Sequence, residues 1–99
     1  MIKIVPDPPP LSPITTTAAK PFGTLDSDSQ PLFCVREGIR AEDALLHVGM
    51  LLGCVEAAAW DVVEHLHLND KGLVLGLIQN AEMARALVDA LLDGAARQH

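Results

Sequence analysis

The sequence has few aromatic residues and little positive charge. It contains no tyrosine, one tryptophan and two phenylalanines. Seven lysines and arginines stand against thirteen aspartates and glutamates, which gives a formal net charge of −6. Binding to nucleic-acid phosphates or to anionic lipid needs clustered positive charge. Direct nucleic-acid binding and attraction to a membrane surface are therefore disfavoured.

Cysteine and long apolar runs are also scarce. Cys34 and Cys54 are the only cysteines and form no CxxC pair, which fits a reducing compartment. Uninterrupted apolar runs, such as residues 73–78, are far shorter than the roughly 20 residues that a membrane span requires. Residues 1–5 are too short for the apolar core of a signal peptide. We expect a soluble cytoplasmic protein that does not enter a membrane.

No proline follows residue 31, and all seven lie at or before it. The prolines alternate with threonines at 15–17 and with Asp-Ser-Asp-Ser at 26–29. Proline blocks helix formation, and short polar residues favour local turns. Residues 1–31 are predicted to form a disordered Pro/Thr/Ser-rich tail. The alternative is a docking segment around residues 8–10.

Residues 32–98 are predicted to form an all-α helical hairpin. A short extended or strand segment at 32–36 comes first. Because no other segment has the pattern of a strand, it either lies on the helices or pairs with its copy in a second molecule. Helices follow over about 40–68 and about 71–93, and a linker this short makes them antiparallel. Arg40 stands at the first cap position, where it cannot accept an N–H bond, so that helix start should be frayed.

Apolar residues alternately four and three apart define the expected contact between the helices. On the first helix these are Ala41, Leu45, Val48, Leu52, Val55, Ala59, Val62 and Leu66. On the second helix they are Val74, Leu77, Ala81, Ala84, Val88 and Leu91, with Leu92 beside them.

Both helices carry a second apolar stripe, which one partner helix cannot cover. The expected interface residues are Leu46, Met50, Gly53, Ala57, Trp60, Leu73, Gly76, Met83 and Leu87. A hairpin of about 60 residues rarely holds a sufficient core alone. The prediction is a homodimeric four-helix bundle, with a helical protein partner as the alternative occupant.

Two segments stand out as motifs, Gly-Ile-Arg-Ala-Glu-Asp-Ala-Leu at 38–45 and Ala-Glu-Met-Ala-Arg-Ala-Leu-Val at 81–88, and Phe33, Val35 and Gly38 open the first of them. With these segments the chain resembles a family of small pseudomonad proteins of unknown function, DUF3077. The resemblance covers roughly residues 33–94. It implies the helical fold and no activity.

Little in the sequence indicates catalysis or a cofactor. Asp61, His65 and His67 provide carboxylate and imidazole at one-turn spacing, which is the pattern of metal ligands on a helix. No phosphate loop or nucleophile constellation accompanies them. The predicted function is a non-enzymatic, acidic accessory or regulatory protein that acts through helix contacts and uses no cofactor. The alternatives are a helical-bundle metal-binding or metal-sensing protein and an acidic inhibitor of a nucleic-acid-binding protein.

Overall fold

A β-hairpin precedes a pair of long helices in the computed structural model, which describes residues 13–97. The strands are β1 (Lys20–Leu25) and β2 (Pro31–Val35), and the helices are α1 (Ala41–Val63) and α2 (Leu68–Arg97). The two helices pack against each other and the two strands pair with each other. The predicted two-helix hairpin is confirmed. Residues 1–12 of the predicted tail lie outside the described residues.

The expectation of a lone strand was wrong. β1 and β2 form an antiparallel two-stranded sheet in which Lys20 pairs with Val35 and Phe22 with Phe33. The boundary expected at residue 31 therefore falls inside the β-hairpin. Proline at position 21 and glycine at position 23 hide β1 in the sequence, because both residues usually argue against a strand. Each strand is an edge, where proline is tolerated.

Gly23 marks an irregularity in the register of the two strands. Between Phe22 and Leu25, β1 has one more residue than the facing part of β2. Gly23 has φ 93°, and a Cβ there would lie 2.8 Å from Cδ2 of Phe33. A glycine with positive φ at the first position of a bulge is a known bulge geometry. Only glycine fits this position without strain.

The loop between the strands is closed by Asp26. Its Oδ1 accepts hydrogen bonds from the backbone N–H groups of Asp28 at 2.8 Å and Gln30 at 3.0 Å. Ser29 has φ 62° and its N–H donates to the Asp26 carbonyl at 3.0 Å. The polar run that suggested a disordered tail is thus an Asx-type turn, which short polar residues favour for the same chemical reason.

Residues 15–17 attach the chain before β1 to the start of α1. The Thr17 N–H donates to the Ile39 carbonyl and the Thr15 carbonyl accepts from the Ala41 N–H, at 2.9 and 2.8 Å. Arg40 makes no side-chain cap hydrogen bond, as the sequence led us to expect. The neighbouring segment instead supplies the acceptor, and it satisfies one of the unpaired N–H groups at the helix start.

The turn between the helices comes earlier than predicted. α1 ends at Val63 rather than near 68, and α2 begins at Leu68 rather than near 71. The His65 N–H donates to the Val62 carbonyl at 3.0 Å, which tightens the last turn. Asp70 lies in the first turn of α2, where a carboxylate is stabilised by the positive end of the helix dipole.

The seam between α1 and α2 differs from the prediction at every second position. On α1 the inward-facing residues are Leu45, Gly49, Leu52, Glu56, Ala59 and Val63. On α2 they are Val74, Ile78, Ala81, Arg85, Val88 and Leu92. We call these two sets of residues together the inner seam. The predicted core residues Val48, Val55 and Val62 are 40–51% exposed. Charge misled the sequence reasoning, since Glu56 and Arg85 occupy seam positions.

Candidate interaction surfaces

A charged pair lies within the inner seam. Glu56 is buried, at 7% exposure, and its Oε1 accepts a hydrogen bond from Nη2 of Arg85 at 3.1 Å. Its Oε2 lies 2.9 Å from Nε of Arg85. No donor within residues 13–97 makes a hydrogen bond to that Oε2, so the second contact is electrostatic only. The pair connects α1 to α2 across the inner seam. Sequence analysis missed both residues.

The rest of the seam buries little apolar surface. Four apolar side chains are buried among residues 13–97, namely Val63, Ile78, Ala81 and Val88. Among the same residues, nineteen large apolar side chains are at least 40% exposed. The fold thus leaves exposed much apolar surface that most monomers bury.

One side of the helix pair has no charged residue at its twelve flanking positions, and Glu42 lines the end of this side near the start of α1. In antiparallel helices, the residues one position before the two seams lie on the same side of the pair. Ala44 and Leu91, one from each helix, accordingly line one groove of about 460 Å³. We call this side the uncharged face. Its members are Ala44, Val48, Leu51, Val55, Ala58 and Val62 of α1, and Leu73, Leu77, Asn80, Ala84, Leu87 and Leu91 of α2.

The large side chains of the uncharged face are well exposed. Leu73 is 73% and Leu87 69% exposed, and the three valines and the remaining leucines lie between 40% and 60%. Asn80 is the one polar side chain of the face. A contiguous apolar surface of this kind on a soluble monomer marks an interaction site.

The opposite side combines apolar and acidic residues. The residues one position after the two seams lie there, and we call it the acidic face. α1 contributes Leu46, Met50, Gly53, Ala57 and Trp60, and α2 contributes Leu75, Gln79, Glu82, Ala86, Asp89 and Asp93. Leu46 is 61% and Trp60 49% exposed. An apolar strip on α1 therefore runs beside a row of carboxylates on α2.

The expected interface residues are thus divided between different sides. Leu46, Met50, Gly53, Ala57 and Trp60 belong to the acidic face, whereas Leu73 and Leu87 belong to the uncharged face. Gly76 and Met83 lie on the side of α2 that points away from α1. Because helical spacing alone does not show which flanks of two helices meet, the sequence could not separate these surfaces.

The β-hairpin borders the uncharged face. Phe22, Cys34 and Val35 line an open cleft together with Ala44 and Leu51 of α1. Within residues 13–97, neither strand packs on either helix. The rings of Phe22 and Phe33 stack with centroids 5.7 Å apart, and both are more than half exposed. An isolated two-stranded hairpin is only marginally stable in water. Burial of the exposed phenylalanine rings against a partner would therefore stabilise this β-hairpin.

The candidate metal ligands are not brought together as the helical spacing suggested. α1 ends before His65, whose Nδ1 lies 3.0 Å from the backbone carbonyl of Asp61 rather than beside its carboxylate. Among residues 13–97 there is no group of three or more His, Cys, Asp or Glu side chains placed to hold a metal ion. Cys34 and Cys54 are both exposed thiols.

The length and composition of α1 would also let it cross a membrane. Its best window has a mean hydropathy of 1.5, and 11% of that window is buried. A core helix of a helical bundle passes the same test, so the observation is weak on its own. Glu56 lies in the middle of α1 and pairs with Arg85 of a more polar helix.

Comparison with known proteins gives one match. A family model described as a family of unknown function (DUF6124) matches residues 32–94, which include β2, α1 and most of α2. DUF3077, the family of the resemblance, is not the one matched, although both families are of unknown function. No curated protein and no solved structure matches the chain.

Proposed function

Because the chain belongs to the family of unknown function DUF6124, whose description supplies no activity, we propose from its surfaces that it is a non-enzymatic interaction protein that works as a homodimer. The observation that carries the proposal is the uncharged face. Twelve positions on two helices contain no charged side chain, in a molecule whose net charge is −6. The carboxylates of α2 at 82, 89 and 93 lie on the other side of the pair.

A second copy is the occupant that suits this face best. A two-fold axis places the same surface on both partners, so an uncharged apolar patch meets its own complement without repulsion. The two helix pairs then form a four-helix bundle. Asn80 supplies a polar group that can fix the register of such a bundle.

The β-hairpin favours a second copy of the chain, rather than a lipid bilayer, as the occupant of the uncharged face. Its cleft shares Ala44 and Leu51 with the uncharged face, so a partner seated on that face also meets the ring of Phe22. Arg36 and Asp43 line the same cleft and offer one charge of each sign. In a bilayer, by contrast, the carboxylates of α2 would have to enter an apolar medium at high cost. We therefore propose a cytoplasmic, regulatory or accessory role.

Light scattering coupled to size exclusion tests the proposal directly. The full chain at micromolar concentrations is expected to elute with a mass twice 10.6 kDa. Dilution into the nanomolar range should shift the equilibrium toward the single chain. A strict monomer over the whole range, with cooperative thermal unfolding, would show that the uncharged face is not a homodimer interface.

A further inference from the structure

We propose that the acidic face is a docking surface for a basic amphipathic helix of another protein. The inference deepens the proposed function, because it assigns a class of partner to an interaction protein. The acidic face lies on the opposite side of the helix pair from the uncharged face. A dimer built on the uncharged face therefore leaves the acidic face accessible, and the two surfaces can be tested separately.

The apolar half of the acidic face has the composition of a binding strip. Leu46, Met50 and Trp60 are each about half exposed or more, at 61%, 58% and 49%. Tryptophan and methionine are enriched at protein interfaces, and a single exposed tryptophan is a frequent energetic anchor. The strip runs from residue 46 to residue 60, which is about 21 Å along a helix. That length matches four turns of a bound helix.

The middle of the strip has open space above small residues. Gly53 lies between Met50 and Trp60, and a Cβ added there would have no atom within 4 Å. Ala57 follows one turn later, so small side chains occupy the middle of the strip while large ones stand at its ends. A leucine or isoleucine of a partner helix could occupy such a gap.

The carboxylates decide which partner fits. Glu82, Asp89 and Asp93 are exposed and lie along the α2 side of the strip. Arg85, which lies three residues from Glu82 and four from Asp89, is already paired with Glu56. Arg97 lies four residues from Asp93, at the last position of α2. A second copy of this chain would bring its own carboxylates to the same place, and phosphate-bearing partners would be repelled. A helix with apolar residues on one face and lysine or arginine along one flank satisfies both halves of the surface.

A designed peptide can serve as the probe. It would have about 18 residues, with leucine at helical spacing, lysine on the flanks and no aromatic residue, so that emission at 295 nm excitation reports Trp60 alone. Two control peptides are needed, a scrambled sequence of the same composition and a version with glutamate in place of lysine. Titration calorimetry and Trp60 emission on the full-length chain would measure binding.

We expect the amphipathic lysine peptide to bind and to shift Trp60 emission to shorter wavelength, and we expect both control peptides to bind at least tenfold more weakly. Raising the salt from 50 to 300 mM should weaken binding several-fold, because rim charges are screened. The triple variant Glu82→Gln, Asp89→Asn, Asp93→Asn should lose about tenfold in affinity. Met50→Gln should also weaken binding; Leu46→Ala is the substitute if that variant loses its helical circular dichroism.

Leu87→Gln on the uncharged face is the matched control and should bind the peptide as the wild type does. Equal binding of the scrambled peptide would overturn the inference, since it would indicate unspecific charge attraction. So would a loss of binding in Leu87→Gln that Met50→Gln does not show. Light scattering measures the mass of each variant independently of peptide binding. If the peptide does not bind, the homodimer proposal still stands. If the wild type is a monomer, the peptide titrations still decide whether the acidic face is a docking surface.

Discussion

The carboxylate of Glu56 and the guanidinium of Arg85 join α1 to α2 through two contacts, at 2.9 and 3.1 Å, in a seam that is otherwise apolar. Gly49, two turns earlier on α1, faces Val88, whose Cγ1 would lie 3.8 Å from a Cβ added at the glycine. Both contacts agree with one antiparallel register of the two helices. In that register the uncharged and acidic faces contain the residues given above.

Replacing Arg85 should destabilise the fold more than replacing any exposed arginine. Arg85→Ala leaves the buried Glu56 carboxylate without its partner, and we expect the free energy of unfolding to fall by about 1–3 kcal/mol. Arg36→Ala, at an exposed site, should change it by less than about 0.5 kcal/mol. Urea unfolding at one fixed protein concentration measures both variants.

Removing both charges should largely restore stability. In the double variant Glu56→Leu, Arg85→Leu, no buried charge remains, and apolar packing replaces the ion pair. We expect its free energy of unfolding to lie within about 1 kcal/mol of the wild type or above it. If the double variant is no more stable than Arg85→Ala, the Glu56 and Arg85 side chains stabilise the fold by more than the mutual neutralisation of their charges.

A charge on the uncharged face should separate the proposed dimer. Leu87→Glu places a carboxylate in the interface twice, once from each copy, and desolvating it costs several kcal/mol. Light scattering should then give the mass of one chain at a concentration where the wild type gives two. Leu46→Glu, at a similarly exposed leucine of the acidic face, is the control and should remain dimeric. The reverse result would move the interface to the acidic face.

Gly23→Ala should loosen the β-hairpin without unfolding the helices. The substitution forces a side chain into a positive φ and against the Phe33 ring, at a cost of about 1–2 kcal/mol. Amide hydrogen exchange in residues 20–35 should become faster, while exchange in the centre of α1 and α2 should not change. Ser27→Ala, in the exposed turn, provides the control. Unchanged exchange in Gly23→Ala would mean that the bulge tolerates a side chain.

Gly53→Ala should stabilise α1. Nothing lies within 4 Å of the added Cβ, and alanine has a higher helix propensity than glycine, so we expect a gain of about 0.5–1 kcal/mol in the free energy of unfolding. Thermal unfolding followed by circular dichroism measures it. A loss of stability would instead indicate that a second chain packs closely over Gly53 and Ala57.

Zinc should not stabilise the protein through His65. The ring contacts a backbone carbonyl beyond the end of α1, and the described residues offer no set of three ligands around it. Thermal midpoints of the wild type and of His65→Ala should respond equally to added zinc. A rise in the midpoint that His65→Ala abolishes would favour the metal-binding alternative.

The sequence was informative wherever a local pattern had a single structural meaning. The two helices followed from apolar spacing, and the absence of a cap at Arg40 followed from its side chain. It failed where neighbouring positions were equally apolar. Val48 and Gly49, or Leu77 and Ile78, are equivalent choices for a seam until the partner helix is in place. β1 was missed because its proline and its bulge glycine break the alternation on which strand recognition depends.

The sequence by itself determined the helical hairpin and the excess of apolar surface, because helical period and composition are local properties of the chain. Only the tertiary structure decided which residues share a side. The rotation of each helix about its axis brings Glu56 against Arg85. The same rotation sorts the apolar residues into one face without charged residues at its twelve positions and one face bordered by carboxylates. A rotation of this kind depends on contacts between residues 29 positions apart, which no local pattern encodes.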